Sequence, residues 1–497
     1  MKILGHLNAG RGRHPTVLCW RLREYRANQV IGAAARLSSF FCSKRPLLGW
    51  VGTFAGFAIL FAAASAFPTP SALAADGTLR EPAMRAPRVP AVYSDTDLGR
   101  LLNSGSELTV AGERLNAGLL RRFYARHGFE PVWTTRPVQA NALMHAVLRA
   151  GEHGLAPQLF HANALLSPLA PTLPRLDREL LLSDAFLTYA DALARGMMPV
   201  ERRRDDEALT PEPIDVAAAL DAALASPDPA AAVEALAPAT PTYRLLRQAL
   251  QSFHGGSAGK TPTARLREIE VNLERERWLP RRLPPNRVWV NVADERLVLY
   301  RDDRPVFSTR VIVGQDELRN QSPEFEAKID GVLFNPPWNI PQDIAAHEIL
   351  PKTLHDPDYL ARHRMVMLPD GGLQQLAGPN SGLGQIMLEM KNRFDVYLHD
   401  TPLRSMFGRE DRRISHGCIR VENLRELTAL LMQQPVGTVD RAIALGSTTQ
   451  SGLPQPVPVF VVYETAFADA DDRLQFRADV YGRDPEIWQH LAPEAVR

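Results

Sequence analysis

The sequence predicts an α+β chain, with a helical N-terminal domain followed by a mainly-β domain that carries a large insertion. Three observations lead there. From about Ser94 to Phe253 apolar residues recur at helical spacing. After Arg282 the period changes to two, in Val-, Leu- and aromatic-rich runs broken by Asp or Gly turns. The 497 residues suffice for two or three domains, each with its own core.

The chain opens with a basic leader, 1–45. Residues 1–75 hold nine Lys/Arg against Glu24 alone, so the formal charge of +1 leaves the remainder at −7. A mildly acidic body gives no electrostatic reason to expect nucleic acid as a partner. Within 46–74, Leu47 to Phe67 is free of charge and long enough to cross a bilayer as a helix. Ala72-Leu73-Ala74 then offers a small-x-small cleavage site, so a cleaved signal and a retained inner-membrane anchor through 46–67 both stay open. Basic residues on the N-terminal flank put that end in the cytoplasm and the rest outside, in a periplasmic location.

Residues 75–93, with Pro82, Pro87 and Pro90, read as a stem. The helical domain spans 94–253. Leu143, Val147 and Ala150 form one stripe stopped by Gly154; Leu180, Asp184, Leu187 and Leu193 form another ending near Gly196; Val216–Ala225 is a third. Phe123, Tyr124 and Trp133 read as core, and His127, His145, His153 and His161 lack metal-ligand spacing. Residues 254–263 are a Gly-rich linker. The β domain is placed at 264–446, with strands at Val288–Val292, Arg296–Tyr300, Phe307–Val313 and Gly331–Phe334. Pro336, Pro337 and Pro341 argue for a loop after it, and 342–392 reads as the insertion. Asn423 and Glu426 suggest a capping box for a helix with Leu424, Leu427, Leu430 and Leu431 inward. Residues 447–497 hold a last strand from Val457 and a tail.

The chemistry-bearing stretch is Ile414-Ser415-His416-Gly417-Cys418-Ile419-Arg420-Val421, preceded by Phe394-Asp395-Val396-Tyr397-Leu398-His399-Asp400. Cys19 and Cys42 lie before the apolar run, so Cys418 is the single cysteine of the exported part and has no intrachain disulfide partner there. A neighbouring imidazole lets a thiol ionise as a thiolate–imidazolium pair. Alternation puts Phe394, Val396 and Leu398 on one face of a strand and Asp395, Tyr397 and His399 on the other. Gly417 lets backbone approach a substrate carbonyl, and nearby N–H groups are placed to stabilise its oxyanion. These features predict a cysteine acyltransferase.

His399, a gap of 18 residues, then Ser415-His416-Gly417-Cys418 closely resembles the signature of the L,D-transpeptidase (YkuD-like) catalytic domain. Ile269–Arg275, Phe334–Pro341 and Tyr397–Pro402 resemble further stretches of the long, exported YcbB-type members. The helical domain resembles their scaffold domain, and 342–392 their capping subdomain. Only the linker stands where such members commonly carry a peptidoglycan-binding module, and Arg420 stands where Asn is common. The resemblance implies Cys418 as nucleophile, His399 as general base oriented by the Asp400 carbonyl, and His416 as a third site residue. It implies an oxyanion hole from the N–H groups of Gly417 and Cys418. Arg420 would hold a substrate carboxylate or form an internal ion pair, and Tyr397 and Trp338 are candidate cleft walls, with core packing the alternative for Trp338.

The implied reaction takes peptidoglycan stem peptides as partners, forms a cysteinyl thioester with release of D-alanine, and gives 3→3 cross-links. Carbapenem β-lactams would acylate the same thiol. No cofactor is implied. An L,D-carboxypeptidase or endopeptidase shares every one of these residues, and attachment of a protein or a free D-amino acid is a related outcome. A zinc protein using His399, His416 and Cys418 lacks any framing motif. Non-catalytic wall binding is the remaining reading.

Overall fold

The computed structural model describes residues 97–105, 107–255 and 263–492. The leader, the apolar run 47–67, the stem and most of the 254–263 linker lie outside the described residues. Among the described residues no helix is long and apolar enough to cross a membrane.

In the helical domain the long helix α1, Arg175–Arg195, is buried on nearly every side and is closed by Gly196 at φ +87°. Leu180, Leu187 and Leu193 join Phe123, Tyr124, Trp133 and Phe186 in one core. Asp184 sits in that apolar stripe because it is fully paired: it accepts from the Asn116 N–H at 2.7 Å and meets His161 Nε2 at 2.8 Å. A buried carboxylate needs such partners. Helix α2, Pro241–Gly255, and α3, Thr263–Glu276, lead into the β domain.

That domain is built on nine strands. They are β1 Arg287–Asn291, β2 Arg296–Arg301, β3 Arg304–Gly314, β4 Phe325–Phe334, β5 Ile386–Met390, β6 Leu398–His399, β7 Arg413–Ser415, β8 Ile419–Val421 and β9 Thr449–Val462. The pairing order is β7-β3-β8-β6-β5-β4-β9-β1-β2, and β2 also pairs with β3. That last pairing closes the sheet into a barrel, with β7 outside on one edge of β3. Inward positions alternate along each strand and are filled by Val288, Val290, Leu297, Leu299, Ile329 and Leu388, all fully buried.

Several expectations are corrected. Ile386–Met390, expected inside the insertion, is a barrel strand between β4 and β6; its alternating Ile386, Leu388 and Met390 point into the core. The insertion is the segment between β4 and β5. Within it Trp338–Ile340, expected as loop, pairs with Leu373–Gln375, which pairs in turn with Met365–Met367. The three residues between Pro337 and Pro341 are free of proline and so can pair. The last strand begins at Thr449, well before Val457, and runs between β4 and β1. A register shift between Gly452 and Val457 accommodates Pro454 and Pro456. The strand expected at 394–399 shrinks to Leu398–His399, because Asp395 turns into the left-handed region at φ +51° and Asn392 Oδ1 accepts from the Phe394 and Val396 N–H groups. Helix α4, Leu424–Met432, has no capping box: Asn423 donates instead to Thr309 Oγ1 at 3.2 Å.

The helical domain and the barrel share an interior. Phe460 and Val462 of β9, with Ile487 and Leu491 of the C-terminal helix α5, Asp484–Leu491, pack into the helical core. At this junction the fully buried Arg483 bridges Asp206 at 2.6 Å and Glu324 at 2.7 Å.

Candidate active site

The parallel pairing of β6 with β8 aligns His399 with Arg420 and Leu398 with Ile419. The Ile419 N–H extends the ladder to the Tyr397 carbonyl at 3.0 Å. By the period of two, Tyr397, His399, Cys418 and Arg420 then share one face. The fold thus gathers four of the anticipated residues on adjacent strands, while Leu398 and Ile419 fill the barrel interior opposite.

The loop before the thiol is held from both sides. Ser415 Oγ donates to the Cys418 carbonyl at 2.6 Å and accepts from the Gly417 N–H at 3.2 Å. Ser322 Oγ donates to the Gly417 carbonyl at 2.8 Å and accepts from the Gly314 N–H at 3.0 Å. Gly417 sits at φ +106°, where a side chain would be strained. Because Ser415 engages the Gly417 N–H, the anticipated two-donor oxyanion hole is reduced to the Cys418 N–H, which makes no hydrogen bond among the described residues.

His399 is buried, and its Nδ1 lies 2.6 Å from the Asp400 carbonyl. This backbone contact fixes the ring. The Leu383 carbonyl also engages the ring, and among the described residues no hydrogen bond joins it to Cys418; the thiol donates to the Asp395 carbonyl at 3.8 Å. The Asp400 side chain is engaged within the fold: it accepts from the Gln385 N–H at 3.1 Å, pairs with Arg404 at 3.3 Å, and packs so closely on Gly384 that a Cβ there would lie 2.6 Å from its own. Asp400, expected among the substrate-binding residues, thus has its carboxylate engaged with the frame around His399.

The electrostatics reverse the anticipated thiolate–imidazolium pair. Burial, reinforced by the Arg420 charge, lowers His399 to about 4, against the smaller opposing pull of the Asp400 and Leu383 carbonyls. Burial also raises the half-buried Cys418 thiol, although the Tyr397 N–H and Arg420 favour its thiolate. At neutral pH the pair rests as thiol and neutral imidazole. Burial lowers Arg420 itself, which the thiolate partly offsets. Arg420 makes no ion pair among the described residues, and its Nε is buried without a hydrogen-bond partner. The internal ion pair left open for it does not form.

His416 points the other way, to the insertion: its Nε2 lies 2.5 Å from Oε1 of Glu348, on the turn Ala345–Ile349. Trp338 belongs to the insertion's own small core, beside Ile340, Ile344 and Leu373, with its ring over Gly382. The structure brings it to that core and not to the thiol's strand face. Among the described residues no His, Cys, Asp and Glu cluster forms a metal site.

Sequence reasoning missed Ser322, Tyr481, Arg483 and Glu348. Tyr481 OH donates to the Gly314 carbonyl at 2.7 Å and receives the Ser322 N–H at 3.3 Å, and Arg483 reaches Gln321 Oε1 at 3.1 Å. A network thus runs from Asp206 of the helical domain through Arg483 to the 321–322 turn and on to Gly417. Ser322→Ala is expected to lower the rate of thiol acylation about tenfold with little loss of folding stability, roughly 1 kcal/mol, the size of one hydrogen bond. Parallel acylation kinetics and denaturant melts check this.

Residues 285–452 match the family model of the L,D-transpeptidase catalytic domain, YkuD, and residues 118–250 match that of the Scaffold domain. A Haemophilus influenzae protein named "Putative L,D-transpeptidase" is 29% identical over 399 residues, which is 74% of this chain and 78% of the relative. A solved structure described as "Structure of the Ldtfm-avibactam carbamoyl enzyme" shares 11% identity over 36% of this chain, with a TM-score of 0.20. The chain matches about half, 49%, of that solved chain's length. A scaffold domain ahead of a barrel-borne YkuD catalytic domain defines the class. The chain therefore carries an L,D-transpeptidase catalytic domain preceded by a scaffold domain.

Proposed function

We propose that this protein is a peptidoglycan L,D-transpeptidase that forms 3→3 cross-links through a thioester on Cys418. The observation that carries the reading is the pairing of β6 with β8, which sets His399 and Arg420 side by side next to Cys418. His399 takes the thiol proton as sulfur attacks the carbonyl of the third stem residue. The oxyanion is met by the Cys418 N–H, and by the Gly417 N–H once it leaves Ser415. The C–N bond to D-alanine breaks, and the imidazolium returns its proton to the leaving amine. A neighbouring stem's side-chain amine then attacks the thioester, gives its proton to His399 and releases the thiol. Arg420, a guanidinium without an internal carboxylate, suits a stem carboxylate as a two-pronged donor. Tyr397 lines the same face. Export to the periplasm, by way of the apolar run 47–67, completes the reading.

The Glu348–His416 contact ties the insertion to the catalytic loop and gives the capping role a specific residue. Closure would exclude water and favour amine over hydrolysis. Glu348→Gln is expected to shift the ratio of cross-linked to hydrolysed product about three- to fivefold toward hydrolysis, a modest change because the pair is half exposed. Product ratios at fixed acceptor concentration check it. The overall reading is tested by incubating the chain with disaccharide tetrapeptides and analysing products by mass spectrometry. Dimers linked 3→3 are expected; tripeptides alone would favour the carboxypeptidase alternative.

A further inference from the structure

A cavity lies away from the thiol, on the outside of the barrel. It has a volume of about 940 Å³ and shares no lining residue with the site above. Its floor is the outward face of the β1–β2 hairpin, where the register sets Arg287 opposite Tyr300, Trp289 opposite Val298 and Asn291 opposite Arg296. The intervening Val288, Val290, Leu297 and Leu299 fill the barrel. An outward strand face ordinarily meets solvent. Here the segment 239–242, the turn 281–283 and the C-terminal hairpin of Ala466–Ala468 with Leu474–Phe476 roof it over without filling it.

The wall chemistry selects a ligand. Two of its cations are held by carboxylates of the wall, Arg287 by Asp303 at 2.6 Å and Arg477 by Asp294 at 2.7 Å, while Arg281 and Arg282 at the rim make no ion pair among the described residues. Two rings offer apolar surface: Trp289, backed by Phe460 at 5.6 Å, and Tyr300, backed by the Arg287 guanidinium at 4.2 Å. At the inner wall stand Glu276 and Glu464, both buried, with Thr240 donating to Glu276. Burial, and after it the charge of Glu276, raises Glu464 well above the carboxylate range, and its side chain hydrogen-bonds with Glu276 and Trp289. Among the described residues Oε1 of Glu464 and Nε of Arg287, both buried, have no hydrogen-bond partner. Ring faces beside mixed, fixed donors and acceptors suit a neutral polyhydroxylated ring, and the volume is at the upper end of the roughly 300–1,000 Å³ of small-molecule sites.

We propose that this cavity is a saccharide subsite that takes an N-acetylated amino-sugar unit of the peptidoglycan glycan, an inference that rests on the activity proposed for the thiol site. It would hold the wall polymer while the barrel's other side works on its stem peptides. The test uses the full chain and peptide-free N,N′-diacetylchitobiose as probe, with free tetrapeptide as a second arm, both by isothermal titration. The disaccharide is expected to bind, and Trp289→Ala to weaken it at least about tenfold. Ser308 is an exposed lining residue, so Ser308→Trp fills the cavity without touching the core and is expected to abolish disaccharide binding. Carbapenem acylation of Cys418 should stay within twofold in that variant. Unchanged disaccharide binding in Ser308→Trp, no binding in the unmodified chain, or binding there of the tetrapeptide in its place each overturns the subsite. Loss of acylation in the unmodified chain, with sugar binding intact, would instead count against the thiol reading.

Discussion

Cys418→Ala is expected to lose both the carbapenem adduct and every 3→3 dimer, whereas His399→Ala is expected to keep a slow, alkaline-dependent acylation. The difference follows from the resting state. Burial holds the Cys418 thiol protonated, so at neutral pH the nucleophile exists only when a base removes its proton. Removing that base should slow acylation about 10²- to 10⁴-fold near pH 7. As pH rises the thiol ionises unaided, and the His399→Ala rate should climb about tenfold per unit until the thiol has titrated. Intact-mass measurement of the adduct against time, from pH 6 to pH 10, reads both effects. A thiolate–imidazolium pair would behave differently, with fast alkylation by iodoacetamide at pH 6 in the unmodified chain. That result would sink the neutral-pair description.

The parts of this molecule that local chemistry dictates were legible in the chain. The period-two runs at 288–292 and 296–300 announced strands because their Val and Leu residues have one place to go. The stripe Leu180, Leu187, Leu193 announced the central helix for the same reason. What escaped was set by partners far away in sequence. Met390 belongs to a strand only because Ile329 lies opposite it, and Asn423 abandons its cap because Thr309 offers an acceptor. Ser322, Tyr481 and Arg483 carry no motif of their own. They matter because the fold stacks them behind Gly417, and a hydroxyl's worth depends on which backbone group it meets. Cys418, His399 and Arg420 were legible as residue types with spacing. The protonation of the first two was not, since the shared burial that neutralises both is a property of the closed barrel and its cap.

Arg420 acts on the two reacting groups in opposite senses, and this yields the sharpest pH test. Its charge disfavours the imidazolium, helping to bring His399 down to about 4, and favours the Cys418 thiolate. Catalysis needs the unprotonated ring. Acylation should therefore hold nearly constant from pH 7 to pH 5 and fall only below about pH 4, whereas an ordinary histidine is already half-protonated at about pH 6.5. In Arg420→Gln the ring's affinity for protons rises, so the acid limb moves up toward the ordinary value; the thiol's also rises, so the neutral plateau drops. A stem peptide should show a further penalty that an uncharged thiol reagent does not. Loss of a charge-assisted, two-pronged contact costs roughly 1.5–3 kcal/mol, or about 10- to 150-fold in KM. Steady-state KM and acylation rate, each measured from pH 3.5 to pH 8, separate these effects. If the acid limb stands at the same pH with and without Arg420, the guanidinium does not act on the ring. The side-by-side register of β6 and β8 would then hold the two residues as neighbours in the sheet without coupling their chemistry.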